Sequence, residues 1–185
     1  MRGLGKAWQA GRCWLPLAAM AAASFGIAFL AGCSAGDDGT AADLPDPDDY
    51  AQALHEGANA ERVQAGLDPL EWSECIVPIA QERADLLNET QDLEHAPLTA
   101  TCNEGATAGE NLSLAEVEPQ EITDRWMASA GHEANILNAA FVTVAVACAR
   151  EQLDSGPMAC SWVAEGLSPD DPDYVEPEGG TITSN

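Results

Sequence analysis

The sequence predicts an α+β domain with an antiparallel sheet. Two observations carry this. Apolar residues recur at helical spacing through the first half of the central region, and in its last third they alternate with period two. The first helix is read from Tyr50, Leu54, Ala58 and Val63, which roughly share one face, and Gly66-Leu67 supplies its stop, with Gly at C′ and an apolar residue beyond. His55 falls inside this pattern as an ordinary polar helix position. A second helix opens near Ser73 as N-cap, with Pro78 placed to delay it, and its stripe is Ile76, Ile79, Ala80, Arg83 and Leu87. A third starts at Pro119 in the favoured first-turn position. Glu121 stands in its positive-ended first turn, and Ile122 and Trp126 form its buried side. A short helix follows over residues 132–137. Val142, Val144 and Val146 then alternate with Thr143, Ala145 and Ala147, as a strand requires, and residues 159–164 form its antiparallel partner across the turn residues Asp154-Ser155-Gly156-Pro157.

The chain has 185 residues, enough for one domain of ordinary size. Its charge is lopsided, with 7 Lys+Arg against 31 Asp+Glu. That excludes a nucleic-acid binder of the usual kind, which grips phosphates with basic side chains, and it excludes electrostatic attachment to anionic lipid headgroups. The acidity favours cations over anions near the surface.

Residues 1–32 read as an export signal. Arg2, Lys6 and Arg12 form a positive front, no acid is present, and an apolar stretch runs from Trp14 to Leu30. Leu30-Ala31-Gly32-Cys33 resembles the bacterial lipobox, in which the Cys is acylated and becomes the new N-terminus, a membrane anchor. Ser34 follows. An Asp there often signals inner-membrane retention in diderm bacteria, so the resemblance implies the outer membrane. Without residues 1–32 the basic residues are Arg62, Arg83, Arg125 and Arg150; four cations against 31 acids leave −27. Residues 33–48 are small, acidic and Pro-bearing, and read as a flexible tether. Residues 49–167 are the domain, and 168–185 an acidic disordered tail.

With Cys13 in the signal and Cys33 assigned to lipid, Cys75, Cys102, Cys148 and Cys160 remain. An even set in an exported domain implies two disulfides, with three possible connectivities. Cys148 and Cys160 lie symmetrically about the proposed turn, so they can face each other across the hairpin, which leaves Cys75–Cys102 by elimination. No CxxC pair exists to suggest a thiolate metal cluster.

The candidate chemistry lies in His95, Glu110 and His132. Two imidazoles and a carboxylate are the ingredients of a zinc site or of acid–base catalysis. Asn59-Ala60-Glu61-Arg62 followed by Gly66-Leu67-Asp68-Pro69-Leu70 resembles the first-helix signature of the bacterial CAP (SCP-like) proteins, the superfamily of cysteine-rich secretory proteins, antigen 5 and pathogenesis-related proteins. His95, Gly109-Glu110-Asn111, Trp126 and the SxGHxxNIL run at 129–137 follow in the family's order. The resemblance covers residues 50–166 and implies an α-β-α sandwich with a small antiparallel sheet between helices. It also implies an open cleft lined by two His and two acids, of which His95, Glu110 and His132 match three. Ser129 stands where the fourth acid often lies, and Glu133 where many bacterial relatives have Arg. Asn111 and Asn135 are read as structural, and Trp126 as core.

Three functions compete on these grounds. One is an envelope binding module using the cleft for a lipid, glycan, protein or cation. Another is a metal- or His-dependent hydrolase, although neither Ser113 nor Ser129 stands in a nucleophile elbow. The last is a structural lipoprotein with a vestigial cleft. For a cation the expectation is weak, exchangeable zinc on His95, Glu110 and His132, because the acid at Ser129 is missing.

Overall fold

The computed structural model describes residues 44–151 and 156–174. The expected export signal 1–32, Cys33 and the expected tether as far as residue 43 lie outside the described residues, as do 152–155, which hold half of the expected turn, and 175–185.

Helix α1 (Pro47–Gln64) starts where its sequence dictates. The Asp46 carboxylate accepts the N–H groups of Asp48 and Asp49 at 3.1 and 3.0 Å, Pro47 needs no partner for an N–H, and two acids sit at the positive end of the helix dipole. Ordered chain therefore begins ahead of residue 49, and Leu44 already belongs to the core. Tyr50, Leu54 and Ala58 are buried as expected, but the next step is Arg62 rather than Val63. Val63 is 59% exposed and Arg62 only 2%. Arg62 is tolerated inside because its guanidinium donates to the carbonyls of Asp68 (2.9 Å), Ile136 (2.7 Å) and Asn138 (2.8 Å). The helix ends in a Schellman pair, Leu67 N–H to Arg62 O and Gly66 N–H to Val63 O, with Gly66 at φ 80°. Asn59 matches both backbone groups of Leu70, accepting its N–H at 2.8 Å and donating to its carbonyl at 3.1 Å. The signature residues of this helix thus hold the chain that follows it.

The remaining elements are β1 (Glu71–Trp72), α2 (Val77–Thr90), β2 (Ala108–Ala115), α3 (Pro119–Met127), α4 (Ala130–Ile136), β3 (Phe141–Ala149) and β4 (Met158–Gly166). Ser73 does not cap α2. Its carbonyl accepts from Ile76 and Val77 to close a preceding turn, and the helix starts late, with Pro78 in its first turn.

The sheet order is β1-β3-β4-β2. Strands β3, β4 and β2 are antiparallel. The two-residue β1 adds a parallel edge that the alternation of the sequence did not announce. Side chains leave each strand to alternate faces. Val144, Val146 and Cys148 of β3 join Tyr50, Leu54, Trp126 and Ile136 on one side. Ala145 and Ala147 meet Ile76, just ahead of α2, and Ala80 and Ala84 of α2 on the other. The first core is built from large side chains and the second from alanines, which let α2 approach the sheet closely. Strand β4 is buried along its whole length. The result is the α-β-α sandwich, with α1, α3 and α4 on one face and α2 on the other. Each Leu or Ile so buried contributes about 1.5–3 kcal/mol.

Both disulfides form with the expected partners. Cys148 and Cys160 are directly opposite in the β3–β4 register, with Cα atoms 4.1 Å apart, and Cys75 bonds Cys102. The start of the expected tail folds back: Ser168 Oγ donates to Glu104 O at 2.7 Å, and Tyr174 N–H reaches Asp171 O at 3.0 Å.

Candidate functional site

His95 stands in the irregular segment 91–107 between α2 and β2. Such a long loop costs conformational entropy to order, and three fixtures hold it. Arg83, on α2, donates to the carbonyls of Ala96 (3.1 Å) and Pro97 (2.8 Å), the two residues after His95. The Cys75–Cys102 disulfide ties the loop to the start of α2. Glu165, buried on β4, accepts the N–H groups of Thr101 (2.8 Å), Cys102 (3.1 Å) and Asn103 (3.0 Å), so a buried carboxylate is satisfied by backbone.

Glu110 is the third residue of β2, and its side chain is only 4% exposed. One carboxylate oxygen lies 2.8 Å from His95 Nδ1 and the other 3.6 Å from Arg83 Nη1. A carboxylate only accepts, so Nδ1 carries the proton, and in the neutral ring Nε2 is left as an acceptor. The His95 side chain is 55% exposed. Arg83 therefore grips both the backbone beside His95 and the carboxylate that orients its ring.

His132 enters from the other layer, on α4. Its carbonyl accepts from Asn111 Nδ2 at 3.1 Å. Burial holds the imidazole below the usual histidine range, and the nearby charge of His95 adds to the effect. His132 thus comes from the layer that packs against the outer edge of β2. That edge is sealed: Trp126 Nε1 donates to Leu112 O at 3.1 Å, and Asn135 Nδ2 donates to Glu110 O and to Asn111 Oδ1, both at 2.9 Å. Gly109 is needed here, since a Cβ would stand 2.6 Å from the Phe141 ring. Beside the His95–Glu110 pair opens a cavity of about 210 Å³, lined by Arg83, Leu87, Thr90, Glu94, His95 and Leu112 among others.

The sequence profile of the cysteine-rich secretory protein (CAP) family matches residues 56–163, more than half of the chain. The chain belongs to the CAP family. The uncharacterized protein YkwD of Bacillus subtilis is 31% identical over 106 residues, which are 52% of this chain and 41% of that protein. The chain thus spans less than half of that relative's length. Among solved structures, an outer surface protein of Borrelia burgdorferi superposes with a TM-score of 0.55 at 16% identity, over 65% of this chain and 94% of that one. An extracellular protein containing a SCP domain from Bacillus anthracis gives 0.54 at 18%, over 65% and 41%. These likenesses show the fold.

Within this CAP domain the expected site residues do not all play the expected part. Among the described residues no three His, Cys, Asp or Glu side chains gather closely enough to hold a metal ion. His95 and Glu110 meet, but with His132 they form no such group, and Glu110 also faces Arg83. Ser129 occupies the N-cap position of α4 without a side-chain cap bond. Ser113 lies on the face of β2 opposite to Glu110, and no serine hydroxyl bonds either imidazole among the described residues. His55 is a neighbour of Asn59 Nδ2 at 3.0 Å and of the Trp72 ring edge-on, far from this chemistry in the chain. Asn111 and Asn135 are structural, and Trp126 is core. Arg83 and Glu165 escaped sequence reasoning. A lone arginine in a helix stripe was the available signal for the first; Glu165, an acid in a run of apolar strand residues, was the signal for the second.

Proposed function

We propose that this chain is an exported CAP-domain protein of the bacterial cell envelope, anchored through lipid at Cys33 in the outer membrane, that binds a ligand at the His95 cleft. The cavity beside the His95–Glu110 pair carries the reading. An aliphatic wall with a few convergent polar groups is the usual form of a binding site. Two disulfides suit an oxidising compartment, and relatives of the same fold are described as outer-surface and extracellular proteins. The test is native mass spectrometry of the protein purified from its own membrane. A small molecule retained by wild type and lost in His95→Ala supports the reading; one retained equally by that variant places the ligand elsewhere. Labelled palmitate should enter wild type and not Cys33→Ser.

Hydrolysis is the second reading, and one observation favours it. Glu110 fixes the tautomer that leaves His95 Nε2 free to accept a proton from water. Turnover of a peptide or ester substrate that survives in His95→Ala would remove it.

A further inference from the structure

Four large apolar side chains are exposed among the described residues, and one of them lines the cavity. Leu86 lines it and is 49% exposed; Leu93, 54% exposed, sits between the lining residues Asp92 and Glu94. Glu82 and Glu89 flank Leu86 at i−4 and i+3, on the same face of α2. Asp92 and Glu94 line the cavity, Glu82 and Glu89 stand beside Leu86 on α2, and none of the four is in an ion pair among the described residues. Arg83, the cation in the wall, is already matched by Glu110. In its neutral form His95 presents Nε2 as an acceptor. The mouth is thus negative and acceptor-rich around an apolar centre, and the cavity is of a size to take one or two aliphatic side chains.

We propose that this rim and cavity form a docking surface for a basic peptide segment in which a leucine-sized side chain lies beside lysines or arginines. The proposal rests on the cleft being a binding site and names its partner. Charge complementarity selects the cations, and the cavity and the two exposed leucines select the apolar anchor. A purely acidic surface would attract any cation, so the apolar contribution is what the experiment must read.

The experiment immobilises the full chain and measures a labelled twelve-residue peptide of Leu and Lys arranged on two helix faces. A twin has Ala for Leu at equal charge. Wild type should bind the Leu peptide roughly tenfold tighter than the twin, as burial of one leucine-sized anchor supplies. Leu86→Gln with Leu93→Gln should erase that ratio. Glu82→Gln with Glu89→Gln should weaken binding several-fold and flatten its salt dependence, whereas Glu56→Gln with Glu71→Gln on another surface should not. Equal affinity for the two peptides, or equal loss from the control pair, would overturn the proposal. Failure of the small-ligand reading shows at His95→Ala and failure of the docking surface at Leu86 and Leu93, so the two are separable.

Discussion

Arg83 shows how much of the cleft depends on one side chain. It donates to Ala96 O and Pro97 O and faces Glu110, so its removal leaves a buried carboxylate with His95 alone and frees the loop. Breaking a largely buried pair from one side costs about 3–5 kcal/mol, and the remaining His95 bond puts Arg83→Ala at the low end. Chemical denaturation should show the loss. The imidazole nitrogen resonances of His95 should move from the Nδ1–H form towards the mixture of a free ring. A destabilised variant with His95 still in the Nδ1–H form would mean that Arg83 only supports the loop. Tyr50 offers a pH reading. Its hydroxyl donates to Val117 O at 2.8 Å, and burial, helped by Glu118, raises its pKa well above the ordinary value. A folded pKa above the unfolded one gives stability that is complete below about pH 10 and lost as pH rises further. Tyr50→Phe should cost about 1 kcal/mol at pH 7 and flatten the alkaline fall in melting temperature. An identical alkaline profile would assign that fall to other groups.

At the level of elements, β2 is the edge strand that had to be protected. It carries Glu110, Asn111 and Ser113 at buried positions, so it lacks the apolar alternation that revealed β3. Tertiary partners decide it. Asn135 and Trp126 satisfy its outward carbonyls, and the Phe141 ring fills the space over Gly109. Asn135→Ala leaves two buried acceptors unpaired and should cost about 1–3 kcal/mol. Gly109→Ala overpacks against Phe141 and should cost about as much, 1–3 kcal/mol. Unfolding midpoints measure both, and a neutral Gly109→Ala would mean that the ring moves aside freely.

For the whole molecule, the two disulfides have different work. Cys148–Cys160 staples neighbouring strands that already pair, whereas Cys75–Cys102 closes 27 residues that include the loop bearing His95. Loop entropy gives each about 3 kcal/mol. Replacing Cys75 and Cys102 by Ser should speed amide exchange at residues 91–100, and replacing Cys148 and Cys160 should leave that segment protected. Equal protection in both variants would show that Arg83 and Glu165 suffice to hold the loop.

Much of this was legible in the chain. Local spacing determined α1, α3 and β3, because 50–54–58 and 142–144–146 repeat with the periods of helix and strand. Hairpin symmetry determined the Cys148–Cys160 pair, and the order of the motifs determined the family. Only the tertiary structure decided that Arg62 is buried and Val63 exposed, that Glu110 serves His95 and Arg83 instead of completing a ligand set, and that β2 exists as an edge. The reason is common to all three. A polar side chain enters the interior when distant groups satisfy it, and those partners stand up to 79 residues away, as Phe141 does from Arg62.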